Sequence, residues 1–190
     1  MWDLKNTQQP LHKIKLDTLI VYDFVWSQDQ SLFFNTTLGS EVVAFDAKNF
    51  SKLASDFATH SNEELHKCEA IGANFNFIKN RVFIGTSRGT IAWYEYANSK
   101  LNKMTEYRAH MDSVRTINYH PSRPVLLSSG RDGSVKLWDA KDSKHHPLIL
   151  GNLVGHKENV PAAAYLDDKT VITGSWDQSL ALWNVQQIIQ

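Results

Sequence analysis

Hydrophobic positions along this chain fall into short runs that recur in sets of three. Val21–Trp26, Leu32–Thr36 and Val42–Phe45 make a first set, and Ala70–Phe75, Val82–Thr86 and Ile91–Tyr94 a second. Val114–Tyr119, Val125–Ser129 and Val135–Trp138 follow, then Val160–Tyr165, Val171–Ser175 and Leu180–Trp183. Each run is rich in β-branched and aromatic residues and is bounded by Gly, Asp, Asn, Ser or Pro, which predicts β-strands joined by tight turns. Asp132-Gly133 is the strongest of these turn signals. Between sets lie more polar runs, Ile14–Leu16, Leu53–Phe57, Met104–Tyr107 and Ile149–Val154, which predict a fourth strand for each unit.

The sets share one register. Their closing aromatics, Phe45, Tyr94, Trp138 and Trp183, are spaced by 49, 44 and 45 residues, and a second aromatic (Trp26, Phe75, Tyr119, Tyr165) precedes each by 19, 19, 19 and 18. Nine residues further upstream stand Asp17, His66, His110 and His156, each followed four residues later by Val21, Ala70, Val114 or Val160. A period of about 45 residues is that of a repeat architecture. A four-stranded sheet of this size cannot bury both faces alone, so each must stack on its neighbours, the logic of a β-propeller.

Two of the units close on the same phrase. Ser128-Ser129-Gly130-Arg131-Asp132-Gly133-Ser134 leads to Trp138-Asp139, and Thr173-Gly174-Ser175-Trp176-Asp177-Gln178-Ser179 leads to Trp183-Asn184. With His110 and with Gly155-His156, these segments closely resemble the signatures of WD-repeat propellers. The resemblance is strong over residues 104–185 and loose before that. It implies an all-β propeller of four-stranded antiparallel blades, about four of them present, with 1–16 the end of a preceding blade. Residues 17–66 and 67–109 are then degenerate WD-like repeats, 110–155 a WD repeat, and 156–190 the C-terminal one. The first degenerate unit has Asp17 for the expected His, Gly39 for the turn Asp and Phe45 for Trp, and the second has Arg88 and Tyr94. Both are expected to dispense with the polar network and rely on packing. Trp2-Asp3 resembles the end of an earlier repeat, so ring closure is expected from missing blades of a longer chain, a second copy or another chain.

Composition narrows the function. Twenty basic and twenty acidic residues cancel, so no global field draws the chain to nucleic acid or to an anionic membrane. A single cysteine, Cys68, allows no internal disulfide, which suits a reducing compartment, and no apolar run approaches a membrane span. The expected setting is intracellular, cytoplasm or nucleus. His145-His146 has no second ligand pair at metal-binding spacing, and Gly151–Gly155 lacks the Lys-Ser/Thr of a phosphate loop. No metal and no cofactor is expected.

Two constellations mimic catalysis: His110, Ser128, Asp132 and His156, Thr173, Asp177. A nucleophilic triad needs an exposed nucleophile and an oxyanion site, and one active site needs only one copy. The resemblance implies instead that His110, Ser128, Asp132 and Trp138, and likewise His156, Thr173, Asp177 and Trp183, form a hydrogen-bonded chain inside each blade. Function then belongs to a surface. Transferred by position, the narrower face of a WD propeller is lined here by Leu38, Ser87, Arg131 and Trp176, with Tyr22, Arg115, Asn159 and Pro161 flanking the first-strand valines. Trp, Tyr and Arg are the residues enriched at interface hot spots. The expectation is a non-enzymatic scaffold with protein or peptide partners. The other reading is a chromatin-associated reader of Polycomb type that binds histone tails, from a looser resemblance between Ser87 and Trp183.

Overall fold

The computed structural model of the chain describes residues 2–3, 6–10, 13–15, 21–27, 29–37, 41–57, 68–69, 81–141 and 147–189. Alternating apolar and polar positions with Gly, Asn or Ser at the turns give antiparallel hairpins, and the strands follow one another in space as they do in sequence. β1 (Trp2–Asp3) pairs with β2 (Asn6–Pro10). β3 (Val21–Trp26), β4 (Leu32–Thr37), β5 (Glu41–Asp46) and β6 (Lys52–Phe57) form the first four-stranded sheet in that order. β7 (Cys68–Glu69), β8 (Arg81–Thr86), β9 (Thr90–Ala97) and β10 (Lys100–Arg108) form the second. The third consists of β11 (Val114–Tyr119), β12 (Val125–Gly130), β13 (Val135–Asp139) and β14 (Leu148–Leu153), and the last of β15 (Ala162–Tyr165), β16 (Thr170–Gly174) and β17 (Leu180–Asn184). The chain is all-β, built of antiparallel propeller blades.

Two expected strands are displaced. Lys13–Lys15 has no regular structure, and the strand ahead of the first blade is β2, which folds straight back onto Trp2–Asp3. In the fourth blade the first strand begins at Ala162 rather than Val160. The Val160 N–H reaches across to the Gly130 carbonyl of the third blade at 3.1 Å, and Pro161 has no N–H with which to start a ladder. Ala70–Phe75, Asp17, His66, Leu38, Gly39, His145 and His146 lie outside the described residues.

The apolar cores lie between sheets. Because successive side chains of a strand point to opposite faces, Val82, Ile84 and Tyr94 of the second blade pack against Phe34, Val42 and Ala44 of the first. Their neighbours Phe83, Ile91 and Trp93 pack against Val114, Ile117, Leu126 and Trp138 of the third. The third blade then turns Val125, Leu127, Val135 and Leu137 towards Ala163, Val171 and Val185 of the fourth. Each of the larger side chains, fully buried, contributes about 1.5–3 kcal/mol. The blades approach closely at Gly85, where an added Cβ would lie 2.5 Å from Val114 Cγ1.

The turn between the second and third strands of a blade is the same in three blades. Gly89, Gly133 and Gln178 each donate a backbone N–H to the residue three positions earlier and adopt φ of 81°, 79° and 68°. Glycine occupies this left-handed conformation without steric cost, and glutamine does not.

β-Bulges also recur. In the fourth strand of each complete blade one apolar residue is extra to the ladder: Leu53, Met104 and Leu150. In the first strands of the first and third blades the extra residues are Tyr22 and Arg115. A bulge bends the strand and re-aims the extra side chain.

Candidate functional site

In the third blade the polar residues make one continuous chain. Trp138 Nε1 donates to Ser128 Oγ at 2.8 Å, Ser128 Oγ lies 2.8 Å from His110 Nε2, and His110 Nδ1 lies 3.1 Å from Asp132 Oδ1. The arrangement that satisfies every atom has His110 protonated on Nδ1 and Ser128 donating to Nε2. Asp132 also accepts from the Met111 N–H at 2.7 Å and the Ser134 hydroxyl at 2.8 Å. Burial alone would raise the Asp132 carboxyl, but the bonds from His110, Met111 and Ser134 outweigh it and hold the group well below the usual carboxylate range.

The fourth blade repeats the chain. Trp183 Nε1 donates to Thr173 Oγ1 at 2.8 Å, Thr173 meets His156 Nε2 at 2.7 Å, and His156 Nδ1 lies 3.0 Å from Asp177. The Ser179 hydroxyl and then the Lys157 N–H hold the Asp177 carboxyl below its ordinary value. Ser134 and Ser179 are members that the sequence reading missed. Their signal was present, since a serine stands two residues after the turn Asp in both copies.

The Asp, His and Ser order looks like a triad, and accessibility rules that reading out for these groups. Ser128 Oγ is fully buried, with its lone pair occupied by the Trp138 indole, and Thr173 is likewise buried. No electrophile can reach either oxygen without opening the blade.

The second blade is not held by packing alone. Thr86 and Thr90 share a hydroxyl bond of 2.8 Å, Thr90 donates to Glu106 at 3.0 Å, and Lys103 pairs with the other oxygen of Glu106. This relay occupies the turn where the third and fourth blades use Asp. The first blade uses rings instead: Phe33 stacks on Phe45 at 4.8 Å, flanked by Trp26 and Phe50.

Among the described residues, those of the expected face that are brought together belong to the third and fourth blades. The bulge at Arg115 sends its guanidinium to Asn159, with Nε donating to Oδ1 at 3.2 Å. Asn159 is itself buried, its carbonyl accepts the Trp176 N–H at 2.9 Å, and its amide Nδ2 has no partner. Trp176 is 59% exposed. Arg131 donates its N–H to the Ser113 carbonyl at 2.8 Å, and its side chain, 56% exposed, reaches Asp112 at only 3.7 Å. Pro161 is exposed beside them. Ser87 is half-buried in the second-blade turn. The backbone of Tyr22 occupies the first-blade bulge, and Leu38 lies outside the described residues. Among the described residues no cluster of His, Cys, Asp or Glu is placed to hold a metal, and no helix is long and apolar enough to cross a membrane.

Comparison with known proteins places these features. A family model described as the DDB1- and CUL4-associated factor 12 beta propeller matches residues 102–189. WD repeat and FYVE domain-containing protein 1 of Mus musculus is 27% identical over 104 residues, which is 54% of this chain and 25% of that protein. The chain is similar to proteins of the WD-repeat β-propeller family. Protein SPA1-RELATED 4 of Arabidopsis thaliana is 22% identical over 86% of this chain and 26% of its own length. The chain therefore spans about a quarter of each of these relatives. A chain in a crystal structure of the mitotic checkpoint complex has the same fold, with a TM-score of 0.75 and 18% identity over 98% of this chain and 54% of that one. WD-repeat propellers are generally non-enzymatic scaffolds for protein interaction.

Proposed function

We propose that this WD-repeat chain seats an acidic, extended peptide of a protein partner on Arg115, Arg131, Asn159 and Trp176. One observation carries the reading: a buried amide donor, Asn159 Nδ2, is left without an acceptor between a guanidinium and an exposed indole. An unpaired buried donor costs roughly 1–3 kcal/mol, which a carboxylate or a peptide carbonyl recovers on binding. Arg131, held loosely by Asp112, supplies a second charge, and Trp176 offers a flat surface on which a side chain stacks.

Fluorescence anisotropy with a labelled glutamate- and phenylalanine-containing peptide tests this. Trp176→Ala and Arg131→Glu are each expected to weaken binding roughly tenfold. A basic histone-tail peptide is expected to bind weakly, because two guanidinium groups repel it. Equal affinity for wild type and both variants, or preference for the basic peptide, overturns the assignment.

Ring closure belongs to the same reading. The outward face of the fourth blade presents Leu180 and Leu182, 79% and 67% exposed. A bare apolar face of that kind fits against a further blade, supplied by a longer chain, a second copy or another protein. Mass in solution tests the second copy, which would double it.

A further inference from the structure

The fourth strands of the blades are sheet edges, and edges are ordinarily blunted by charge. β6 carries Lys52 and Asp56, and β10 carries Lys100, Lys103, Glu106 and Arg108. β14, Leu148-Ile149-Leu150-Gly151-Asn152-Leu153, carries none, and it is the terminal strand of its sheet. Leu148 and Ile149 are 73% and 53% exposed, and the bulge at Leu150 turns that residue towards a cavity of about 220 Å³ floored by Val125 and Ile189.

The rim of this cavity is cationic on balance. Arg123 and Lys141 stand on it, against Asp139, whose carboxylate already accepts the Lys141 N–H at 3.0 Å. Arg123 is anchored through one nitrogen to the Ile189 carbonyl. Register places the charges at one end of the strand, because Asp139 pairs with Leu148 and Lys141 follows two residues later. An uncharged strand edge, an apolar socket beside it and cations at one end have complementary requirements. The occupant must be extended, must put one bulky apolar side chain into the socket, and must carry carboxylates at the end beside Leu148.

We propose that β14 is a docking edge on the side of the propeller, which accepts a strand of a partner protein with alternating apolar residues and an acidic end. Strand addition supplies main-chain hydrogen bonds, and the socket and cations supply specificity. This surface is separate from the Arg115–Trp176 face.

The test is anisotropy with the whole chain and a labelled synthetic peptide of alternating leucine and threonine that ends in two glutamates. Leu148→Lys, which restores an edge charge at an exposed position, is expected to weaken binding roughly tenfold. Lys141→Glu, and a peptide ending in lysines, are each expected to cost roughly threefold, with the wild-type affinity falling as salt rises. A peptide N-methylated at alternate residues is expected not to bind, whereas Trp176→Ala leaves binding unchanged. No measurable binding by wild type, or equal binding by a Leu148→Lys protein with an unaltered melting curve, overturns the proposal. So does a dimer in sedimentation velocity that Leu148→Lys dissociates, which would assign the edge to a second copy.

Discussion

Replacing Ser128 by alanine removes one oxygen and leaves two partners stranded. The Trp138 indole N–H loses its acceptor, and His110 Nε2 loses its donor, in a place where Ser128, His110 and Trp138 are all buried. An unsatisfied buried group costs roughly 1–3 kcal/mol, so the pair sums to about 2–4 kcal/mol once partial relaxation is allowed. The matching change in the fourth blade, Thr173→Val, strands Trp183 and His156, but Trp183 is only half-buried and its N–H is rehydrated more readily. Its expected cost is about 1–2 kcal/mol. Urea denaturation followed by tryptophan fluorescence measures both, at an unchanged dependence on denaturant. A cycle with Trp138→Phe isolates the indole: with no N–H to strand, Ser128→Ala should cost about 1 kcal/mol less than in wild type. A Ser128→Ala loss below about 0.5 kcal/mol, or one identical in the Trp138→Phe background, would refute the view that these bonds fasten the blade.

Turn geometry and acid titration give two further expectations. Gln178→Gly relieves a left-handed glutamine and should stabilise the chain by roughly 0.5 kcal/mol, while Gly133→Ala, with its Cβ 3.2 Å from the Glu158 carbonyl, should cost about 1 kcal/mol; thermal melts decide both. A carboxylate held below its unfolded value of about 3.9 stabilises the fold above that pH and loses its contribution as the pH falls towards the folded value. Stability should therefore be flat above about pH 5 and drop below about pH 4, and Asp132→Asn should flatten that drop, as read from urea midpoints across the range.

The strands were legible because alternation and turn residues are local properties. Val21–Trp26 and Val114–Tyr119 are strands from end to end, and Leu32–Thr36 and Val125–Ser129 each fall one residue short of the observed strand. The bulges were not legible. Arg115 and Leu150 are extra only relative to a partner strand, and one strand's sequence does not state its partner's count. Asn159 escaped as a hub for a related reason: its contacts run to Arg115 and Trp176, one in the neighbouring blade and one in its own. In the second blade no Asp marks the turn, and Thr86, Thr90 and Glu106 do equivalent bonding with different chemistry.

Since every core is shared between successive sheets, each repeat carries two messages on alternate residues. Leu126 and Trp138 are read by the second blade, Leu127 and Leu137 by the fourth. A repeat transplanted whole from another propeller would thus meet two unfamiliar neighbours at once, however well it folded as a sheet. A crossover inside the blade does not escape this, because β12 and β13 each carry residues of both kinds, and any cut leaves some packed pairs of side chains in mixed company.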